Sequence, residues 1–314
     1  MSEEPDPGPT RCGFVAIIGA PNAGKSTLVN LLVGAKVAIV THKVQTTRFP
    51  VRGVAMRGQA QLILVDTPGV FEPKRRLDRA MVRSAITAME DADAVVHLVD
   101  APAHAQAKSG ADRRCVEDAA RVSEKLKALG RPYSLALNKV DAMPRDALLG
   151  VTQALYDPAL TKEVFMISAK TGDGVDKLGD WLAGQMPESP WHYPADQTAD
   201  APSRLIAAEV TREKLMLRLH EELPYETMVE TESWQERRDG SVRIDQIVYV
   251  AREGQRKITI GDKAATIKAI GALARAELEQ IFDRRVHLFL FVKVRENWSD
   301  EPARYTAMGL DFES

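Results

Sequence analysis

The chain has 314 residues, 45% of them hydrophobic, and a formal net charge of −2. Its length supports a substantial core and two domains, and its balanced charge excludes a global field for nucleic acid, so such binding must come from a local basic patch. Two distant cysteines, Cys12 and Cys115, and six scattered histidines, His42, His97, His104, His192, His220 and His287, exclude a disulfide scaffold and a zinc cluster.

Residues 1–10 are acidic and proline-rich, Ser2-Glu3-Glu4-Pro5-Asp6-Pro7-Gly8-Pro9, and are expected to be flexible. They lack the positive charge and apolar run of an export signal, and no later run is long enough to span a bilayer, so a cytoplasmic location is expected. Phe14-Val15-Ala16-Ile17-Ile18 then predicts a buried strand, and Thr27 to Val33 a helix closing near Gly34. Between them Gly19-Ala20-Pro21-Asn22-Ala23-Gly24-Lys25-Ser26 fits G-x-x-x-x-G-K-[ST] in the strand–loop–helix context that this motif requires. Its glycines let backbone N–H groups curl around phosphate oxygens at a helix start. Lys25 is expected on the β- and γ-phosphates, Ser26 on Mg²⁺ and Thr27 near the α-phosphate.

Thr41 to Arg48 is polar, and either Thr46 or Thr47 can close onto Mg²⁺ and the γ-phosphate; Thr47 is favoured. The apolar run Leu62 to Val65 predicts a strand ending in Asp66-Thr67-Pro68-Gly69, where Asp66 suits contact to Mg²⁺ and the Gly69 amide a γ-phosphate. The strand Ser134 to Leu137 runs into Asn138-Lys139-Val140-Asp141. A carboxylate at Asp141 accepts the N1 and 2-amino hydrogens of guanine, which adenine cannot supply, so GTP is favoured over ATP. Asn138 would tie loops together, and the Lys139 stem would lie against the base. Val164 to Ile167 predicts another strand, followed by Ser168-Ala169-Lys170, whose Ala169 amide can reach guanine O6.

In their order and spacing these motifs resemble the translation-factor-related GTPases, and within them the Era family, over nearly the whole chain. The resemblance implies an α/β phosphate-loop GTPase domain with a mostly parallel six-stranded sheet, spanning 11–186, with nucleotide at the carboxyl edge of the strands. It implies GTP/GDP and Mg²⁺ as ligands, with Lys25, Thr47, Asp66 and Gly69 catalytic and Ser26, Thr47 and Asp66 around the metal. Val70 stands where many GTPases place a water-orienting Gln, so slow intrinsic hydrolysis is implied, and Asn22 matches an asparagine that helps to hold K⁺.

Met186 to Pro202 contains Pro187, Pro190, Pro194 and Pro202 and reads as an interdomain linker over 187–202. Arg204 to His220 has helical spacing, while Thr227 to Glu236 and Val242 to Ala251 alternate like hairpin strands around Asp239-Gly240. A basic helix–turn–helix over Arg252 to Lys268, a helix to Phe282 and an apolar strand Val286 to Val294 follow. This part resembles an α+β KH domain of type II, over 203–296, with 297–314 as a C-terminal tail. The resemblance implies RNA contact by Arg256, Lys257, Ile258, Ile260, Gly261, Asp262, Lys263, Ala264 and Lys268, with Ile258, Ile260 and Ile267 as an apolar floor.

The expected G-x-x-G loop reads Gly261-Asp262-Lys263-Ala264. If Ala264 has φ below zero the loop is intact; if the position requires φ above zero, Ala costs on the order of 1 kcal/mol. The family resemblance further implies a GTP-gated small-subunit assembly factor that binds the 3′ end of 16S rRNA on the 30S subunit. It also implies a monomer with peripheral association to the cytoplasmic face of the inner membrane.

Overall fold

The computed structural model describes residues 9–296, 298 and 301–312. Most of the N-terminal segment expected to be flexible, residues 1–8, lies outside the described residues. The chain divides into two units: the first comprises residues up to Ala38, Thr47–Asp200 and those from Met308 on, and the second Ile39–Thr46 and Ala201–Ala307.

In the first unit the elements run β1 (Arg11–Ile18), α1 (Lys25–Val33), β2 (Val51–Arg57), β3 (Ala60–Asp66), α2 (Arg76–Asp91), β4 (Ala94–Asp100), α3 (Ala101–Gln106), α4 (Gly110–Ala128), β5 (Tyr133–Asn138), α5 (Ala147–Leu155), β6 (Thr161–Met166) and α6 (Val175–Gln185). They form a six-stranded sheet in the order β2-β3-β1-β4-β5-β6. Only β2 is antiparallel, paired to β3 through a hairpin. The central strands are apolar on both faces because helices cover both. Val15 and Ile17 of β1 pack with Leu28 and Val29 of α1 and Leu178 and Leu182 of α6. Ala16 and Ile18 point the other way, into Ala85 and Met89 of α2 and Val122 and Leu126 of α4. Because β1 lies between β3 and β4, the order reverses there, and the loop after β1 opens into the crevice at the carboxyl edge.

In the second unit α7 (Ser203–Arg218) is followed by β7 (Met228–Glu236), β8 (Val242–Val250), α8 (Glu253–Ile260), α9 (Ala265–Phe282), β9 (Val286–Val294) and α10 (Pro302–Ala307). The sheet order is β7-β8-β9. β7 and β8 pair antiparallel, and β8 and β9 parallel. Apolar residues of α7 and α9, among them Leu215, Val210, Ile270 and Leu278, pack on one sheet face with Val248 and Ile244.

Three segments depart from expectation. The segment expected as a linker does not run free: the Cys12 amide donates to Pro187 O at 3.1 Å and the Val54 amide to Thr198 O at 2.9 Å. The Gln61 side chain accepts from the amides of His192 (2.9 Å) and Tyr193 (3.0 Å) and donates to Tyr193 O (2.8 Å). Prolines restrict the chain, and the buried Gln61 amide of β3 satisfies the polar groups that they leave. The expected C-terminal tail contains α10, in which Arg304 pairs with Glu230 at 2.8 Å over the Tyr249 ring. Finally, residues 39–46 belong to the second unit. There the Val40 amide donates to Glu213 Oε1 at 2.8 Å, the Lys43 ammonium donates to Leu219 O, and Arg212 donates to Thr46 O.

Gln61→Leu removes three bonds from buried or half-buried backbone groups at once and is expected to lower the unfolding free energy by about 2–3 kcal/mol. Urea unfolding together with limited proteolysis, reading new cleavage around residues 190–200, checks this.

Candidate functional site

The loop between β1 and α1 is shaped around its own backbone. Gly24 has φ 100°, and a Cβ there would lie 2.3 Å from Asn138 Nδ2, so only glycine fits. Asn22, also left-handed at φ 62°, sits exposed at the tip. Lys25 Nζ donates to the carbonyls of Gly19 (3.1 Å) and Ala20 (2.8 Å), closing the loop on itself. Burial pulls the Lys25 ammonium down to about 8, with Asp66 opposing that shift. An anion held by the first-turn amides of Lys25, Ser26 and Thr27 would give this charge a stronger partner than neutral carbonyls.

Three oxygens meet beneath the loop. Ser26 Oγ donates to Asp66 Oδ2 at 2.7 Å, Thr47 Oγ1 donates to the same oxygen at 3.1 Å, and the two hydroxyls lie 3.0 Å apart. Asp66 is fully buried, and among the described residues its Oδ1 has no hydrogen-bond partner. Burial pushes its carboxyl up to about 6 against the bonds from Ser26 and Thr47 and the Lys25 charge. One carboxylate, two hydroxyls and an orphaned acceptor are an oxygen donor set that fits Mg²⁺. The Thr46 hydroxyl faces elsewhere, bonded to Thr41 Oγ1 and Lys43 O, each at 2.7 Å.

After Asp66, Thr67 Oγ1 donates to Ile17 O at 2.8 Å and the Val70 amide donates to Gly19 O at 3.2 Å, which holds Thr67-Pro68-Gly69-Val70 against the loop. The Val70 side chain is buried among Ala16, Ile18 and Ala85.

Asn138, at the end of β5, ties two loops together: its Nδ2 donates to Ala23 O at 2.7 Å and its Oδ1 accepts from the Ala169 amide at 2.9 Å. Asp141 is exposed, and its Oδ1 accepts from Ser168 Oγ at 2.7 Å, while Ser168 Oγ accepts from the Thr171 amide at 3.1 Å. The carboxylate is thereby held in one orientation. Val140 is half-buried and Lys170 exposed beside them. Lys139 is left-handed at φ 65°, and its ammonium reaches Asp100 Oδ2 at 2.5 Å. Sequence reasoning passed over Asp100, although an aspartate ending an apolar strand, as Asp66 does, was the available signal. It also passed over Arg212 and Glu213, for which no local signal exists.

In the second unit a 3₁₀ turn, Asp262–Ala264, joins α8 to α9. A Cβ at Gly261 would lie 2.2 Å from Thr266 Oγ1. Lys263 (φ 47°) and Ala264 (φ 62°) are both left-handed, so the conformation that disfavours alanine is the one present. Lys257, Ile258, Asp262, Lys263 and Lys268 are exposed, Ile258 at 62%. Arg256 is tied to Glu253 (2.8 Å) and to Val292 O (3.3 Å). Ile260 is half-buried, whereas Ile267 packs into the core with Ile270 and Val248. The apolar floor expected from three isoleucines is therefore reduced on the open side, because helical spacing turns Ile267 inward.

Residues 14–139 match the family described as 50S ribosome-binding GTPase, and residues 222–299 match the KH domain family. The chain is 58% identical over 310 residues to GTPase Era of Maricaulis maris, covering 97% of this chain and 98% of the relative. It is 55% identical over 304 residues to GTPase Era of Rhizobium meliloti, covering 97% and 94%. A tyrosine-to-alanine variant of Aquifex aeolicus Era bound to GDP·AlF4⁻ superposes with a TM-score of 0.85 at 34% identity, covering 96% of this chain and 99% of that one. Era in complex with MgGDPNP and nucleotides 1506–1542 of 16S ribosomal RNA gives a TM-score of 0.86 at 35% identity, with the same coverage.

Two outcomes are expected. Because the Asp66 carboxyl is raised to about 6, the folded state holds its proton more tightly than the unfolded state, and stability falls as pH rises from about 4 through 6. Asp66→Asn should stabilise the ligand-free protein by on the order of 2 kcal/mol at pH 7.5, not below pH 4, and abolish Mg²⁺-dependent turnover; urea melts across that range check the first part. Ala264→Gly should be neutral or raise stability by about 0.5 kcal/mol, whereas the same exchange inside α9, Ala269→Gly, should cost about 1 kcal/mol in thermal unfolding.

Proposed function

The chain belongs to the Era family of GTPases, and from that premise we propose that it binds 16S rRNA near its 3′ end under control of GTP and acts in maturation of the 30S subunit. The observation that carries the nucleotide half is the meeting of Ser26, Thr47 and Asp66 within 3.1 Å of one another under the phosphate loop. GTP is read by Asp141 at the base edge and by the amide of Ala169 at O6. Its phosphates lie along Gly19 to Thr27, with Lys25 leaving its two carbonyl partners for the β- and γ-oxygens. Ser26, Thr47 and Asp66 would hold Mg²⁺, which when bound would neutralise charge that develops on the phosphates. Thr47 and the Gly69 amide report the γ-phosphate, so its loss releases both segments.

Val70 packs into the apolar core and has no group with which to orient water. Intrinsic hydrolysis is therefore slow and is raised by K⁺ held near Asn22 and by the ribosomal subunit. Single-stranded RNA runs past Gly261 to Ala264, with Arg256, Lys257, Lys263 and Lys268 near its phosphates and Ile258 against an unstacked base. Among the described residues no helix is long and apolar enough to cross a membrane. Peripheral contact with the cytoplasmic face of the inner membrane, a cytoplasmic location and a monomeric state follow from the family resemblance.

Burial of Val70 also favours a second reading, in which GTP is a static ligand of an RNA-binding module. Fluorescence anisotropy with an RNA matching the 3′ end of small-subunit rRNA, with a non-hydrolysable GTP analogue and then with GDP, tests the main reading on wild type and Ala264→Gly. We expect binding at least tenfold tighter in the analogue state, and turnover stimulated by 30S subunits in K⁺. Equal binding in both states and no stimulation would leave the static reading; no RNA binding by either variant would overturn the RNA assignment.

A further inference from the structure

Asp100 ends β4 directly opposite Asn138 in the β4–β5 ladder, and so stands next to the loop that reads the base. Its two carboxylate oxygens have different work. Oδ1 accepts from the Ala103 amide at 3.2 Å and caps α3, while Oδ2 receives the Lys139 ammonium at 2.5 Å. The backbone of Asp100 is held as well, since its carbonyl meets His104 Nδ1 at 3.1 Å. The carboxylate is thus a rigid anchor with its side chain only 13% exposed, whereas Lys139 is a long side chain 37% exposed on a left-handed backbone.

We propose that Asp100 is a positioning residue for guanine-nucleotide binding: its Oδ2 draws the Lys139 ammonium back over the end of β4, so that the lysine stem lies ready across the base face. This rests on the assignment of Asn138 to Asp141 as the base-reading loop. A free lysine must lose its rotamer freedom when the nucleotide binds; one already tethered has lost it, and the gain appears as a slower release of nucleotide. The anchor acts on the base side of the site, so its effect is independent of the number of phosphates and of Mg²⁺. This separates it from Lys25, Ser26, Thr47 and Asp66.

The cap and the tether can be separated because asparagine caps a helix as well as aspartate but carries no charge. The experiment uses the full chain and fluorescent GDP and GTP, in wild type, Asp100→Asn, Lys139→Met and the double variant, with thermal unfolding of each nucleotide-free protein. Asp100→Asn should release both nucleotides about tenfold faster, with or without Mg²⁺, and leave the melting temperature of the free protein unchanged. In the Lys139→Met background, which keeps the apolar stem and loses the ammonium, the same change should have no further effect. An unaltered release rate in Asp100→Asn, or an equal loss in both backgrounds, overturns the proposal and leaves Asp100 as a helix cap. Wild-type binding of fluorescent ADP as tight as GDP would instead overturn the base assignment, a separate result from any effect of Asp100.

Discussion

The buried carboxylate of Asp66 is the constraint around which the first unit is arranged. A carboxylate out of water costs several kcal/mol unless it is paired and hydrogen-bonded, and here burial outweighs Ser26, Thr47 and Lys25 together, leaving the group above its ordinary range and Oδ1 without a partner among the described residues. Lys25 is under the opposite strain, with its ammonium lowered by burial and held by neutral carbonyls. Each is incomplete in a complementary sense. A phosphate chain and a divalent cation would supply one anion and one cation, and such a pair would relieve both groups at once.

These charges are tolerated because the sheet brings them to one place. Parallel strands deliver Asp66, Asp100 and Asn138 to the same edge, and the reversal of strand order beside β1 opens the crevice there. Asn138 then couples the phosphate loop to the Ser168-Ala169-Lys170 loop through one side chain, with bonds to Ala23 and Ala169. The two loops are consequently parts of one hydrogen-bonded frame, to which Thr47 and the Asp66 to Val70 segment are joined through Ser26, Ile17 and Gly19.

The second unit is built differently. Its sheet and helices bury an ordinary apolar core, and its distinctive feature is local: two successive left-handed non-glycine residues, Lys263 and Ala264, at the helix junction. The turn keeps this conformation without glycine at its end, and at Gly261 a Cβ would run into Thr266. Residues 39–46 add their own bonds to this unit through Arg212, Glu213 and Leu219. Arg212 and Glu213 are nearly fully buried on α7, and each has a backbone group of that segment as a partner.

The amino-acid sequence by itself determined the G-x-x-x-x-G-K-S loop, the acidic strand end at Asp66, the Asn138 to Asp141 turn at the end of β5, the alternation of β7 and β8 and the basic helical pair. Each is written in residues adjacent along the chain, where spacing alone sets which atoms converge. The resemblance of these motifs to a known family supplied the sheet and the KH module, which the structure contains. Tertiary structure alone decided the rest. It turned the Thr47 hydroxyl to Asp66 and the Thr46 hydroxyl to Thr41, a choice between neighbours that no spacing encodes. It set the sign of φ at Ala264 and turned Ile267 into the core. It laid the proline-rich segment on Gln61 and joined Lys139 to Asp100, 132 and 39 residues apart in sequence. Side-chain pairs so distant depend on strand order and register, which are settled only when the sheet is assembled.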